Sequence, residues 1–144
     1  MITASKPNPA LIASELRAVL GALVRRLRDE NRLALSQGAV LGRLDREGPQ
    51  CVSDLAVAER VRPQSMAHTV ADLEQAGYVA RRPDPSDRRR AIVELTDEGL
   101  EALTADRQLR EGWLAQAIAE DLSAQEQAVL HDAAQLLRLL AESE

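Results

Sequence analysis

The chain has 144 residues and a single cysteine, Cys51, which excludes an internal disulfide and a multi-cysteine zinc site. One Trp, one Tyr and no Phe leave Leu, Val, Ile and Ala to build the core, and that composition favours packed helices over a β-sandwich. The formal net charge is −5, yet segment 60–94 holds seven Arg against five acidic residues, which indicates that one surface meets a polyanion.

The N-terminal region predicts a polar tail followed by a long helix. Residues 1–8 are polar and contain Pro7, which is typical of a mobile terminus. The region has no signal-peptide pattern and no apolar segment is long enough to cross a bilayer, so a cytoplasmic protein without membrane contact is expected. From Pro9 to about Glu30, apolar residues recur at helical spacing and predict the first helix.

Two shorter helices are predicted next. Ser36 is expected to cap a second helix that runs to Glu47, and Gly48-Pro49 is expected to end it. A third helix is predicted at about Ser53–Arg60, and its N-cap is either Cys51 or Ser53.

A fourth helix, Pro63–Ala76, follows the third after a tight connection. Pro63 suits the first helical position and Gly77 suits the C-terminal stop. Two helices joined in this way form a helix-turn-helix, and the N-terminal half of the second is the part that enters a major groove. Its inner stripe is expected to be Met66, Val70 and Leu73.

The outward residues of this fourth helix are candidates for contact with DNA. Gln64 can bond an adenine edge, and His68 can bond a guanine acceptor or a phosphate; Ser65 faces the same side. Plain solvation of the surface is the alternative for these side chains. Arg62, just before the helix, is expected to meet a phosphate, with a helix-capping role as the alternative.

A β-hairpin with a basic tip is predicted after the helix-turn-helix. Strands are expected at Tyr78–Arg82 and Ala91–Leu95, on either side of the turn-rich stretch "PDPSDRRR". A hairpin in this place is the winged-helix arrangement.

The hairpin tip has the chemistry of a minor-groove contact. Arg89 is predicted to enter a narrow A·T-rich minor groove, and Asp87 is predicted to hold it in an extended pose by a charge-assisted pair. Arg88 and Arg90 are predicted to neutralise phosphates. The alternative is a solvated, charged loop.

Two further helices are predicted to complete the chain. Thr96 is expected to cap one that starts near Asp97, and Ser123–Glu126 forms a capping box that opens the last. Trp113 can line a ligand cavity or pack the dimer interface, and packing is favoured. His131 lacks a partner at metal-ligand spacing and is interpreted as dimer surface. The inward face of the last helix is expected to hold Val129, Leu130, Ala133, Leu136, Leu137 and Leu140.

The wing sequence "DPSDRRRAIVELTDEG" resembles the signature of the MarR family of bacterial transcription regulators. The segments "LSQGAVLGRLDREG" and "SDLAVAERVRPQSMAHTVADLEQAGYVARR" are similar to its second helix and its helix-turn-helix, so the resemblance covers nearly the whole chain. It implies a mainly α fold with a small β-hairpin wing, in one domain, 1–144. The winged lobe would span about 36–99, and dimerisation helices would span about 9–31 and 100–144.

The same resemblance implies a function. Family members act as homodimers on pseudo-palindromic double-stranded DNA, and many are repressors released by a small lipophilic or phenolic effector that binds between the lobes and the dimerisation helices. The family's wing residues correspond to Asp87 and Arg89. Two positions depart from the pattern: His68 stands where Arg is common, and Arg90 stands where a small residue is common. Cys51 lies far from the family's peroxide-sensing position in the first helix, so it is expected to be a small buried residue.

Other functional classes fit the sequence less well. The chain has no G-x-S-x-G, no phosphate-binding loop and no plausible catalytic triad, so neither an enzyme nor a cofactor is expected. The alternative is a winged-helix protein-interaction module without specific DNA binding. Such modules usually carry an uncharged or acidic wing, and the run Arg88–Arg90 argues against that reading.

Overall fold

The computed structural model describes residues 6–144, which form six helices and a three-stranded sheet. The first five residues of the predicted tail lie outside this range, and Asn8 of the same segment caps the first helix by accepting a hydrogen bond from the N–H of Ala10 at 3.1 Å. In chain order the elements are α1 (Pro9–Arg28), α2 (Leu35–Glu47), β1 (Gln50–Cys51), α3 (Val52–Glu59), α4 (Pro63–Gln75), β2 (Val79–Pro83), β3 (Ala91–Leu95), α5 (Asp97–Asp121) and α6 (Ala124–Ala141).

The start of α2 differs from the sequence prediction. Ser36 is not its N-cap: the helix begins at Leu35 and the N-cap is Ala34, whose methyl group cannot accept a hydrogen bond. The N–H groups of the two preceding residues donate instead to the carboxylate of Asp106, far along the chain on α5. At the N-cap itself, the N–H of Ala34 donates to Oε1 of Gln37 at 3.2 Å. A local contact and a tertiary contact therefore together hold the start of α2.

The helix-turn-helix forms as predicted from local backbone chemistry. Cys51 occupies the N-cap position of α3, although its thiol makes no capping hydrogen bond. Arg60 ends α3 in the left-handed region, at φ 57°. Pro63 then opens α4, and Gly77 follows its end at φ 82°, a conformation that costs glycine nothing.

The sheet is antiparallel, with strand order β1-β3-β2. The predicted hairpin is formed by β2 and β3, in a register that runs from Val79 opposite Leu95 to Pro83 opposite Ala91. Strand β1 was not predicted, because two residues are too few to show the alternation of a strand. It joins the start of α3 to the wing.

The hydrophobic core lies inside the lobe built from α2, α3, α4, the sheet and the first half of α5. It is aliphatic, as the composition predicts, and Met66, Val70 and Leu73 form the buried stripe of α4. The largest fully buried apolar side chains are Leu41, Leu55, Leu73, Leu103, Val40, Val70 and Val93.

The two terminal helices contribute no buried residue to this core. The prediction that the apolar face of α6 points inward is therefore wrong for a single chain: Val129, Leu136 and Leu140 are 59%, 63% and 62% exposed. The apolar stripe of α1, which includes Val19 at 60%, is also open to solvent. No helix within residues 6–144 is long and apolar enough to span a membrane.

Helix α5 starts in close contact with the lobe. The hydroxyl of Thr96 donates to the carbonyl of Gly77 at 2.7 Å and accepts from the N–H of Gly99 at 3.0 Å. A Cβ atom at Gly99 would collide with the carbonyl of Tyr78, so only glycine fits there. The end of α4 and the start of α5 are therefore joined by direct contacts.

Candidate nucleic-acid interface

The outward face of α4 presents the predicted DNA-contacting residues to solvent. Gln64 and Ser65 lie in the first turn and are exposed, and His68 has 81% of its side chain exposed. Nε2 of His68 lies 3.5 Å from a carboxylate oxygen of Asp72, one turn further along the helix. A base or phosphate contact by His68 would therefore replace a pair within its own helix.

Arg62 occupies the N-cap position of α4, but its side chain makes no capping hydrogen bond. Its carbonyl accepts from the N–H of Met66 at 3.0 Å, so only the backbone of Arg62 takes part in starting the helix. The geometry thus leaves the guanidinium available for the phosphate contact that the sequence predicts.

The wing tip is closed by hydrogen bonds within the loop. Asp84 Oδ1 accepts from the backbone N–H of Ser86 at 2.9 Å and from its hydroxyl at 2.7 Å. These bonds hold the pKa of Asp84 below its usual range, and the positive charge of Arg90 acts in the same direction. The Asp84 N–H also donates to the carbonyl of Arg90 at 3.1 Å. The loop therefore has a defined shape that presents its arginines.

Asp87 contacts two of the three arginines that follow it in the loop, Arg89 and Arg90, and not Arg89 alone as predicted. Its Oδ1 accepts from the backbone N–H of Arg89 at 3.0 Å and lies 3.8 Å from Nε of the same residue. Its Oδ2 lies 3.8 Å from Nε of Arg90. Arg89 is 95% exposed, Arg90 is 52% exposed, and Arg88 is also exposed. The firmest contact of Asp87 is therefore to the loop backbone.

Helix α4 and the wing line one open groove of about 340 Å³. Ala67 of α4 faces it from one side, and Arg89 and Arg90 of the wing face it from the other. Ser53 and Arg81 also line this groove and were missed in the sequence analysis. Arg81 lies on strand β2, and the alternation of side chains along a strand could have indicated which face of the wing it occupies.

Cys51 is buried, as predicted, with 6% of its surface exposed. Its Sγ lies 3.2 Å from the hydroxyl of Ser53 and 4.0 Å from Nη1 of Arg90. The residue thus packs beneath the groove where β1, α3 and the wing meet.

A second polar centre, absent from the sequence predictions, joins the lobe to α5. Asp106 is 1% exposed; its Oδ1 accepts from the N–H groups of Arg32 at 2.8 Å and Leu33 at 3.2 Å, and its Oδ2 lies 3.0 Å from Nη2 of Arg110. Beside it is a cavity of about 250 Å³ between α2, α5 and the α1–α2 connection. Asn31 lines that cavity, and its buried Oδ1 has no hydrogen-bond partner among residues 6–144.

Trp113 and His131 lie outside the groove. The guanidinium of Arg26 stacks over the Trp113 ring, 4.1 Å from its centroid, and joins α1 to α5. The packing of Trp113 at a dimer interface stays a prediction, since this contact lies within one chain. His131 is exposed on α6.

Comparison with known proteins places this architecture in a family. The sequence profile of the MarR family matches residues 33–91. An HTH-type transcriptional regulator of Mycobacterium bovis is 38% identical over 138 residues, which are 94% of this chain and 96% of that protein.

Solved structures agree with the sequence comparisons. A transcriptional regulator from Pseudomonas aeruginosa has a TM-score of 0.84 and 38% identity, over 96% of this chain and 100% of that one. A point variant of MarR from E. coli has a TM-score of 0.78 at 23% identity, over 94% of this chain and 98% of that one, which is a likeness of fold. Together with the helix-turn-helix and the wing, these matches show that the chain belongs to the MarR family of DNA-binding, winged-helix transcriptional regulators and is not an enzyme.

Proposed function

We propose that the protein is a homodimeric repressor that binds a pseudo-palindromic operator, with α4 in the major groove and the wing in the adjacent minor groove. The observation that carries this proposal is the single groove shared by Ala67 of α4 with Arg89 and Arg90 of the wing. One concave, arginine-lined surface can follow the DNA backbone from one groove into the next.

Each residue of the interface has a role that suits its position. Gln64, Ser65 and His68 stand on the exposed N-terminal half of α4 and are proposed to contact base edges or nearby phosphates. Arg89, whose side chain is 95% exposed, is proposed to enter the minor groove. Arg62, Arg88 and Arg90 are proposed to bind phosphates. Asp87 is proposed to order the wing tip and so to position the wing arginines.

Dimerisation is proposed to occur through α1, α6 and the second half of α5. The apolar stripes of α1 and α6 have no cover in the single chain, and exposed apolar patches of this kind mark interfaces. A two-fold pairing covers both stripes and closes the assembly. This division gives a lobe at about 36–99 and dimerisation helices at about 9–31 and 100–144. The protein is proposed to be cytoplasmic.

A small effector is proposed to bind in the 250 Å³ cavity between the lobe and α5. The Oδ1 of Asn31, which has no partner within residues 6–144, can accept a hydrogen bond from a phenol. Arg107 and Arg110 on the wall are paired with Asp45 and Asp106, and an acidic group of the ligand would share these two arginines with those carboxylates. A small lipophilic or phenolic acid satisfies both. Thermal shift and loss of DNA binding on addition of such compounds test this proposal, with Asn31→Ala as the matched variant.

The DNA-binding proposal is tested by selection of bound sequences from a random duplex pool. A palindromic consensus is expected, with half-site centres about 34–36 Å apart, or about one helical turn. Five base pairs inserted at the dyad should abolish tight binding, because one half-site is rotated to the far face. No enrichment of any sequence would favour the protein-interaction module instead.

A further inference from the structure

One buried carboxylate, Asp106, joins the α1–α2 connection to α5. Asp106 is the only charged residue of segment 6–144 that is buried, and 1% of it is exposed. Burial of an unpaired carboxylate is unfavourable, and here each oxygen has partners: Oδ1 accepts from two backbone N–H groups and Oδ2 pairs with Arg110. The two N–H donors lie more than 70 residues away, in the connection between α1 and α2.

This connection links the terminal helix α1 to α2, the first helix of the lobe. Helix α5 is fixed to the lobe at its start by contacts of Thr96 and Gly99 with the segment that follows α4. The other route between the lobe and α1 is the connection of residues 29–34. Asp106 fastens that route to α5, with the ion pair of Arg107 and Asp45 at 3.2 Å as a weaker, more exposed link between α5 and α2.

We propose that Asp106 is a positioning residue for DNA binding: its carboxylate locks the α1–α2 connection to α5 and so fixes the separation of the two recognition helices in the dimer. The proposal rests on the homodimeric DNA binding proposed above. In a two-lobed protein the second half-site binds intramolecularly, at an effective concentration that depends on how well the geometry is fixed. A rigid junction gives high affinity at one spacing of the half-sites and low affinity at all others.

The variant Asp106→Asn tests this role. Asparagine keeps an acceptor of nearly the same shape, but it removes the charge and turns an N–H group towards Arg110, so the lock should loosen. Operators with the selected half-sites separated by the selected spacing, and by one or two base pairs more or less, would be titrated by fluorescence anisotropy. An unrelated duplex would measure non-specific binding, and light scattering would confirm the dimer.

The wild-type protein should lose about 100-fold in affinity when the spacing changes by two base pairs. Asp106→Asn should lose about tenfold at the selected spacing and differ by only about threefold across the series, with unchanged affinity for the unrelated duplex. Leu55→Val is the matched control: it removes a methylene from the lobe core, so it should lower thermal stability and keep the sharp spacing preference.

A folded, dimeric Asp106→Asn protein that kept the wild-type spacing profile would overturn the proposal. If that variant does not fold, Arg110→Gln decides, because it leaves both backbone N–H bonds to the Asp106 carboxylate. It removes the ion pair and the long bond of 3.4 Å from Nε of Arg110 to the Asp106 carbonyl. A partly flattened profile is expected, and an unchanged one would overturn the proposal. A wild-type protein that selects no spaced palindrome would instead refute the proposed function.

Discussion

Replacing Asp87 by alanine sets two effects of opposite sign against each other. By charge alone, loss of an acid beside DNA strengthens binding. A carboxylate about 10 Å from a phosphate is repelled by about 0.4 kcal/mol in water, and physiological salt reduces this to about 0.15 kcal/mol. The gain from removing Asp87 is therefore a few tenths of a kcal/mol at most.

The loss of order in the wing tip should exceed this gain. Asp87 accepts from the backbone N–H of Arg89 at 3.0 Å, a bond worth about 0.5–1.5 kcal/mol, and ordering each released residue on DNA costs about 1 kcal/mol or more. The pairs at 3.8 Å with Arg89 and Arg90 are exposed and add little. We expect Asp87→Ala to weaken binding by about 1–2 kcal/mol per lobe, or about 5–30-fold.

Asp87→Asn is the matched control, because its amide oxygen can still accept from the Arg89 N–H while its charge is gone. It should lose about 1 kcal/mol less than the alanine variant. Both would be titrated by fluorescence anisotropy at two salt concentrations, with folding checked by circular dichroism. Tighter binding by a folded Asp87→Ala protein would refute the proposal that Asp87 orders the wing tip. Equal losses of affinity in both variants would show that the hydrogen bond to the Arg89 N–H is not responsible for that order.

Three further predictions follow from the same structure. Arg89→Ala should weaken operator binding by about 1–3 kcal/mol per site, whereas Arg90→Ala should weaken it less and reduce the slope of log affinity against log salt by about one per subunit; equal effects in titrations at several salt concentrations would contradict the two roles. Light scattering should give twice the chain mass, and Leu136→Glu should shift it towards the monomer; a wild-type monomer would exclude the dimer. Gly99→Ala should lower the free energy of unfolding by about 2–4 kcal/mol, since its Cβ meets the Tyr78 carbonyl, whereas Gly112→Ala in the same helix, with open space around it, should be neutral or stabilising in urea denaturation.

The sequence predicted the elements whose ends depend on local chemistry. Pro63, Gly77, Thr96 and Ser123 each favour a helix start or stop through the backbone of their own turn, and all four lie where they were expected. The basic wing could be predicted for the same reason, because its turn residues and charges are adjacent in the chain. The positions of Gly99 and the wing arginines were visible, but the collision that requires the glycine was not.

Contacts between distant segments could not be predicted. Ala34 gives no sign of a helix start, because its side chain cannot accept a hydrogen bond. The two N–H groups that precede it bond to Asp106 on another helix, and this contact is not visible in the sequence. In the sequence Asp106 is one acid among many on an apparently solvated helix, and only burial distinguishes it. The exposure of the α6 stripe was also hidden, since periodicity shows that a face is apolar and does not show which chain covers it.

The acidic net charge does not prevent DNA binding, because the attraction between an arginine and a phosphate depends on whether that arginine is already paired with a nearby carboxylate. Arg43 lies 2.7 Å from both Glu47 and Glu59, so its charge is largely compensated within the lobe. Arg89 is 95% exposed and its one acidic neighbour is 3.8 Å away, a separation at which solvent screens the attraction. A phosphate that approaches the wing therefore meets a cation with little competition, whereas one that approaches Arg43 meets a neutralised cluster. The salt dependence of operator binding should accordingly follow the number of arginines proposed to bind phosphates, Arg62, Arg88 and Arg90, and depend little on the net charge of −5.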